Sequence, residues 1–179
     1  MKELEGTKTQ ANLKAAFAGE SQARNKYTYF AGAAKKEGFN QIGNIFEETA
    51  NNEKEHAKIW FKLLNNGVGE TLCNLEEAVK GELYECTEMY PSFAKEAKEE
   101  GFEKISFLFE MVAQIEKEHA ARYKKLLSNI KEEAVFNKED LQVWYCANCG
   151  HLHVGKDAPV KCPVCDHPKA YFEIRATNY

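Results

Sequence analysis

The chain carries one four-residue word twice: Glu53-Lys54-Glu55-His56 and, 63 positions later, Glu116-Lys117-Glu118-His119, each followed by an alanine. Residues three apart on an α-helix lie on one face about a turn apart, so each copy turns a carboxylate and an imidazole the same way. A lone Glu-x-x-His is ordinary on a solvated helix, but here the flanks repeat as well. Gly19-Glu20 matches Gly81-Glu82, Glu37-Gly38-Phe39 matches Glu100-Gly101-Phe102, and Phe46-Glu47 matches Phe109-Glu110. The offset is 62 at the first of these pairs and 63 at the others, which places one extra residue between Glu82 and Gly101. A duplicated helical hairpin accounts for the pattern, and two such hairpins facing each other make a metal site.

The apolar spacing of Leu13, Ala16, Phe17, Phe30, Ala33 and Ala34, with Thr7 and Gln10 as a capping pair, predicts a first helix over 7–36. Glu20 falls in its small, apolar run, an odd place for a solvated carboxylate. Gly38 breaks the pattern, and a second helix runs over 40–65 to a glycine stop at Asn65-Asn66-Gly67. Val68 to Leu72 reads as a short polar link, with Asn74 and Glu77 capping a third helix, and a fourth runs over 103–130.

The heights of the acidic residues agree. Glu20 precedes Gly38 by 18 residues and Glu53 follows it by 15, which returns the two carboxylates to within roughly 5 Å of one level at 1.5 Å per residue. Glu82 precedes Gly101 by 19 residues and Glu116 follows it by 15. All four glutamates are therefore expected in one layer, the arrangement of a di-iron carboxylate bundle in which two helices give one Glu each and two give Glu-x-x-His. Glu85 faces the same way as Glu82 where the first hairpin has Ala23, bringing the protein ligands to seven. The extra residue, together with Pro91, predicts a kink or a π-bulge. Tyr90 then stands opposite Tyr27 in the repeat.

Residues 132–142 are charged and irregular and read as a linker. Beyond it the chain changes character: Cys146-x-x-Cys149-Gly150 and then, twelve positions after the glycine, Cys162-Pro163-x-Cys165. Two such knuckles make a tetrahedral four-thiolate site for zinc or iron, holding together a small β module over 143–179 with strands near 143–145 and 170–174. Crowding of four of the six cysteines there favours metal ligation in a reducing compartment over a disulfide framework. Cys73 and Cys86 are left as buried free thiols. A net charge of −4 with no basic run predicts neither nucleic acid nor membrane as partner. The N-terminus lacks the apolar core of a signal peptide and no stretch is long enough to span a bilayer, so the cytoplasm is the expected location.

Taken in order, Glu20, Glu53 with His56, Gly81-Glu82-Leu83-Tyr84-Glu85 through Tyr90-Pro91, Glu116 with His119, Cys146-x-x-Cys149-Gly150, Cys162-Pro163-x-Cys165 and His167-Pro168 through Tyr171-Phe172-Glu173 resemble the rubrerythrins over almost the whole chain. The resemblance implies an all-α ferritin-like four-helix bundle over 1–131 and a β-rich rubredoxin-like domain over 143–179. It implies a peroxidase that reduces hydrogen peroxide to water in the oxidative-stress defence of anaerobic or microaerophilic cells. The implied cofactors are an oxo-bridged di-iron centre (Fe-O-Fe) and one iron held by Cys146, Cys149, Cys162 and Cys165. By position, Glu53 and Glu116 bridge the irons, Glu20 holds one, Glu82 with His119 the other, and His56 and Glu85 alternate on the first as it changes oxidation state. Tyr27 and Tyr90 become hydrogen-bond donors to the carboxylates. Two ferrous ions supply the two electrons, and the rubredoxin-like site returns them one at a time across a head-to-tail homodimer. The donor is a rubredoxin or an NAD(P)H-dependent reductase.

Other readings of the same residues are a ferroxidase or iron-storage protein, an oxygen-reducing di-iron protein, and a scaffold with a zinc-filled ribbon. An electron inlet at the C-terminus argues against storage. His151 and His153 read as exposed loop residues because four cysteines complete a site, and His167 is placed near the electron path only by the resemblance. If the second and third helices run parallel, residues 66–74 must cross the bundle with a reach of at most about 30 Å. So short a link leaves open a site assembled from two chains.

Overall fold

The computed structural model describes residues 3–178, which divide into two compact units between Gly69 and Glu70. The first is a hairpin of α1 (Lys8–Lys36) and α2 (Asn40–Asn65). Thr7 starts α1, its Oγ1 accepting from the Gln10 amide at 3.1 Å while the Gln10 side chain accepts from the Gly6 amide, and Lys35 and Lys36 complement the negative end of the dipole. The turn needs Gly38 because its φ is +90°. There the Phe39 amide donates back to Ala34 O at 2.8 Å, using a carbonyl the helix leaves open.

The second unit repeats this hairpin. α3 (Thr71–Tyr84), a π-helical turn (Glu85–Met89) and α4 (Tyr90–Glu99) form one interrupted rod, and α5 (Glu103–Lys131) returns beside it. Gly101 has φ +85° and Phe102 donates to Ala97 O at 2.8 Å, matching Gly38 and Phe39. The π turn absorbs the extra residue inferred from the offsets, and Pro91, which has no amide proton to give, sits in the first turn of α4. α3 begins at Thr71, so Asn74 lies inside it; Glu70 precedes it without a side-chain cap.

Small residues let the helices of each hairpin approach. Ala31 and Ala34 on α1 and Gly43, Ala50 and Ala57 on α2 are all buried, and Ala94 and Ala97 are buried with Ser106 and Ala120. A Cβ at Gly43 would meet Ala31 O at 3.1 Å, whereas its counterpart Ser106 donates its hydroxyl to Ala94 O at 2.7 Å. Above this crossing lies a repeated aromatic trio. Tyr27 and Phe30 stand 6.0 and 5.7 Å from Phe46, and Tyr90 and Phe93 stand 6.0 and 5.7 Å from Phe109.

The C-terminal sheet has the order β2-β1-β3, all antiparallel, from β1 (Asn137–Cys146), β2 (Leu152–Asp157) and β3 (Phe172–Ile174). Residues 137–142, read above as linker, form the first half of β1; a register break between Asn137 and Gln142 explains their uneven pattern. Trp144, Cys146, Ala158, Cys162 and Phe172 make the core, with Trp144 Nε1 donating to Gly155 O at 3.0 Å. Neither remaining cysteine is buried: Cys73 is exposed, and Cys86 is half-buried in the π turn. Among the described residues no helix is long and apolar enough to cross a membrane.

Candidate metal centres

Each hairpin gathers its own set of donors. Glu20 from α1 meets Glu53 and His56 from α2, and Glu82 from α3 meets Glu116 and His119 from α5. Within each set the ligand atoms lie within 4.8 Å of one another. His56 Nδ1 is 2.9 Å from Glu53 Oε2 and 3.9 Å from Glu20 Oε1; His119 Nδ1 is 2.7 Å from Glu116 Oε2 and 3.5 Å from Glu82 Oε2. The helical spacing that suggested these pairs thus turns both side chains inward with Nδ1 foremost.

Without a cation these carboxylates oppose one another. A hydrogen bond with Glu53, partial burial and the Glu53 charge hold the Glu20 carboxyl above its usual range, while the His56 hydrogen bond draws Glu53 down. Burial, then the hydrogen bond and charge of Glu116, raise Glu82. Such a set is short of positive charge, which divalent or trivalent iron supplies.

Glu85 opens the π turn, outside the close triad but near enough for its charge to act on Glu82 and on Tyr90. Burial, then Glu85 and Glu116, push the Tyr90 phenol up, which keeps it a proton donor. Tyr27 packs against Phe46 in the equivalent place. Sequence reasoning missed Trp60. Its indole N–H is buried and makes no hydrogen bond of regular geometry, yet it lies close enough to Glu20 to favour the charged carboxylate. The signal was an indole one turn beyond His56, on a face that carries apolar residues and so reads as packing.

The four cysteines close a second site from two equivalent knuckles. Cys146 N–H donates to His151 O and Gly150 N–H to Cys146 O; Cys162 N–H donates to His167 O and Asp166 N–H to Cys162 O, all at 2.9–3.0 Å. Gly150 has φ +80° and Asp166 +60°, so an aspartate fills the left-handed position that glycine fills in the first knuckle. Cys146 Sγ lies 3.7 Å from Cys165 Sγ and Cys149 Sγ 3.6 Å from Cys162 Sγ. A tetrahedron with metal–sulfur bonds of about 2.3 Å has edges of about 3.8 Å, whereas a disulfide needs about 2.05 Å. The thiols fit a metal ion.

The His151 amide acts to lower the Cys149 thiol, but burial and the other three thiols outweigh it and push it up to about 12. The His167 amide holds Cys165 down. His167 stacks edge-on against Tyr171 at 4.3 Å, its Nδ1 3.1 Å from Cys165 O. His153, expected in an exposed loop, is half-buried in β2 opposite Trp144, and His151 is half-buried beside it.

Fold and donors together define a non-haem iron protein: a ferritin-like helical part with carboxylate and imidazole groups positioned for a di-iron centre, and a rubredoxin-like four-thiolate iron site. The rubrerythrin family model matches residues 11–127, and that of the rubrerythrin rubredoxin-like domain matches 144–173. The chain belongs to the rubrerythrin family. It is 51% identical to rubrerythrin-1 of Clostridium acetobutylicum and 48% identical to rubrerythrin of Nitratidesulfovibrio vulgaris, each over the whole of both chains. Among solved structures, a partially reduced nigerythrin is 33% identical over 97% of this chain and 92% of its own, with a TM-score of 0.37.

Proposed function

We propose that the protein is a peroxidase that reduces hydrogen peroxide to water, H2O2 + 2 e⁻ + 2 H⁺ → 2 H2O, in defence against oxidative stress. The observation that carries the reading is the presence, in one chain, of two Glu–Glu–His sets and a four-thiol cage with metal-sized edges. An iron-storage protein has no use for the second of these. When bound, the iron pair supplies two electrons and Lewis acidity for cleavage of the O–O bond.

Glu53 and Glu116 would be shared by the pair, Glu20 would hold one iron, and Glu82 and His119 would hold the other. His56 and Glu85 would serve the first iron in alternate oxidation states, since imidazole suits ferrous iron and carboxylate suits ferric. Tyr27 and Tyr90 orient carboxylates by donating hydrogen bonds, and Tyr90 is supported by the closeness of Glu85 and Glu116 to its hydroxyl. The four cysteines would hold an iron able to pass electrons inward one at a time, with His167 beside it. Electrons come from a rubredoxin or an NAD(P)H-dependent reductase in the cytoplasm, and a head-to-tail homodimer sets the cage of one chain near the helical site of the next. The residues divide as a helical domain over 1–131 and a rubredoxin-like domain over 143–179, joined by a connection over 132–142 whose second half pairs as the start of β1.

The test compares peroxide consumption by iron-loaded protein with that of protein carrying zinc in the four-cysteine site, both given an electron donor. Steady turnover by the first, and a single turnover only by the second, is expected. Equal rates, or peroxide left untouched by both while ferrous iron is oxidised and retained in bulk, would favour storage.

A further inference from the structure

A groove between α1 and α2 has two unlike ends. At one end Phe17 and Phe61 meet with ring centroids 5.8 Å apart, both half-buried. Arg24 follows Phe17 by seven residues and Lys54 precedes Phe61 by seven. In these antiparallel helices both cations therefore lie about 10 Å from the rings, at the other end. Between the ends Ala57 is buried and forms the floor, with Ser21 and Lys58 on either side. The groove holds about 350 Å³, within the roughly 300–1,000 Å³ of small-molecule sites.

The cations are not committed to carboxylates. Among the described residues Arg24 and Lys54 make no ion pair, and Lys58 reaches Glu55 alone, at 3.2 Å. Three positive groups thus border an apolar floor, and the Asn25 side chain adds a neutral donor at the cationic end.

The duplication shows that a hairpin of this kind does not need the arrangement. The second hairpin has Val79 in place of Phe17, Leu83 in place of Ser21, Ala121 in place of Lys58 and Lys124 in place of Phe61. Nothing basic stands at 86–88, where the counterpart of Arg24 falls. Ring pair and cation pair are both lost, yet Ala120 is buried just as Ala57 is. Packing of the two helices therefore does not call for Phe17, Arg24 or Lys58.

We propose that this groove binds a nucleoside monophosphate, its ring against Phe17 and Phe61 and its phosphate held by Arg24 and Lys54, with Ser21 and Lys58 beside the sugar. Arg offers phosphate a planar fork and Lys a point charge. Aromatic faces accept any base, so affinity should vary little from one base to another. The separation of the two ends selects this ligand over a bare oxyanion, which would use the cations and leave the rings idle. Ser21 follows Glu20 and Lys54 follows Glu53, about 100° round each helix. The site thus neighbours the iron donors without using them, and it does not depend on the peroxide reaction.

Calorimetric titration of the whole iron-loaded chain with AMP tests it, with adenosine and inorganic phosphate as part-ligands. One AMP per chain is expected, bound at least about tenfold more tightly than either part-ligand and less tightly as salt rises. Arg24→Gln with Lys54→Gln alters only exposed side chains and should weaken AMP by about tenfold or more while adenosine is unchanged. Phe17→Leu should weaken AMP and leave phosphate unchanged. Unaltered visible absorption of both iron sites shows that each variant is folded. No saturable AMP binding by wild type, phosphate bound as tightly as AMP, or full AMP affinity in the Arg24→Gln, Lys54→Gln protein overturns the site.

Discussion

His119 Nδ1 stands 3.5 Å from Glu82 Oε2, a contact between α5 and α3 that the hairpin turn at Gly101 brings about. Glu116 on the same helix approaches the imidazole more closely still, at 2.7 Å. In the proposed ligand assignment His119 stays on its iron, whereas His56 alternates with Glu85. His119→Ala should lower iron affinity by more than the ~10–100-fold typical of outer-sphere partners. His56→Ala should retain both irons in the oxidised protein and lose affinity chiefly after reduction. Iron per chain before and after dithionite measures both.

Trp60 tests a finer point of the same site. Its buried indole N–H lies beside Glu20 without a regular partner. Trp60→Phe should leave helicity unchanged and weaken iron at the Glu20 side, while the equivalent Tyr123→Phe should not. Iron competition with a chelator separates the two.

The hairpin was legible because its code is local. Gly38 and Gly101 mark turns that need positive φ, and a change of offset from 62 to 63 foretold the π turn at Glu85–Met89. Asn74 misled because α3 starts three residues earlier, after Glu70, so that Asn74 lies inside the first turn. β1 begins at Asn137, but its register break before Gln142 destroys the alternation by which a strand is read. Of the sites, residue types and spacing pointed to every donor in the two close triads and the cage. Trp60 and the left-handed Asp166 depend on tertiary packing that spacing does not encode.

Ser106 and Gly43 occupy one crossing in the two hairpins. Ser106 is 3% exposed and gives its hydroxyl to Ala94 O, so Ser106→Ala should cost about 1 kcal/mol. Thermal unfolding of the helical signal is the measurement.

The two knuckles differ at their left-handed position, Gly150 in one and Asp166 in the other. Gly150→Val forces a branched side chain into φ +80° and should cost about 1–2 kcal/mol. Asp166→Gly relieves the φ of +60° but loses the 2.8 Å ion pair with Lys161, leaving little net change. Thermal bleaching of the four-cysteine iron reads both. Because Cys146 and Cys162 belong to the small core, stripping the metal should melt the sheet while the helices persist, seen as loss of near-ultraviolet dichroism from Trp144.

Lys131 Nζ lies 2.7 Å from Glu76 Oε1, tying the end of α5 to the first turns of α3. That hydrogen bond and charge hold Glu76 below its usual range. A lowered carboxylate contributes stability above its unfolded value, near pH 4.3, and loses it as pH falls through the lower folded value. Glu76→Gln should therefore lower the melting temperature slightly at neutral pH, with the difference vanishing in strong acid and shrinking in high salt because the pair is exposed.

The central claim is that electrons stored in this chain go to peroxide. Protein reduced anaerobically and mixed with excess hydrogen peroxide, followed by the visible absorption of both iron sites, tests it most directly. Fast oxidation of the iron pair, slower oxidation of the four-cysteine iron and a much slower response to oxygen are predicted. Reduced sites that ignore peroxide, or that oxygen oxidises faster, would contradict the account.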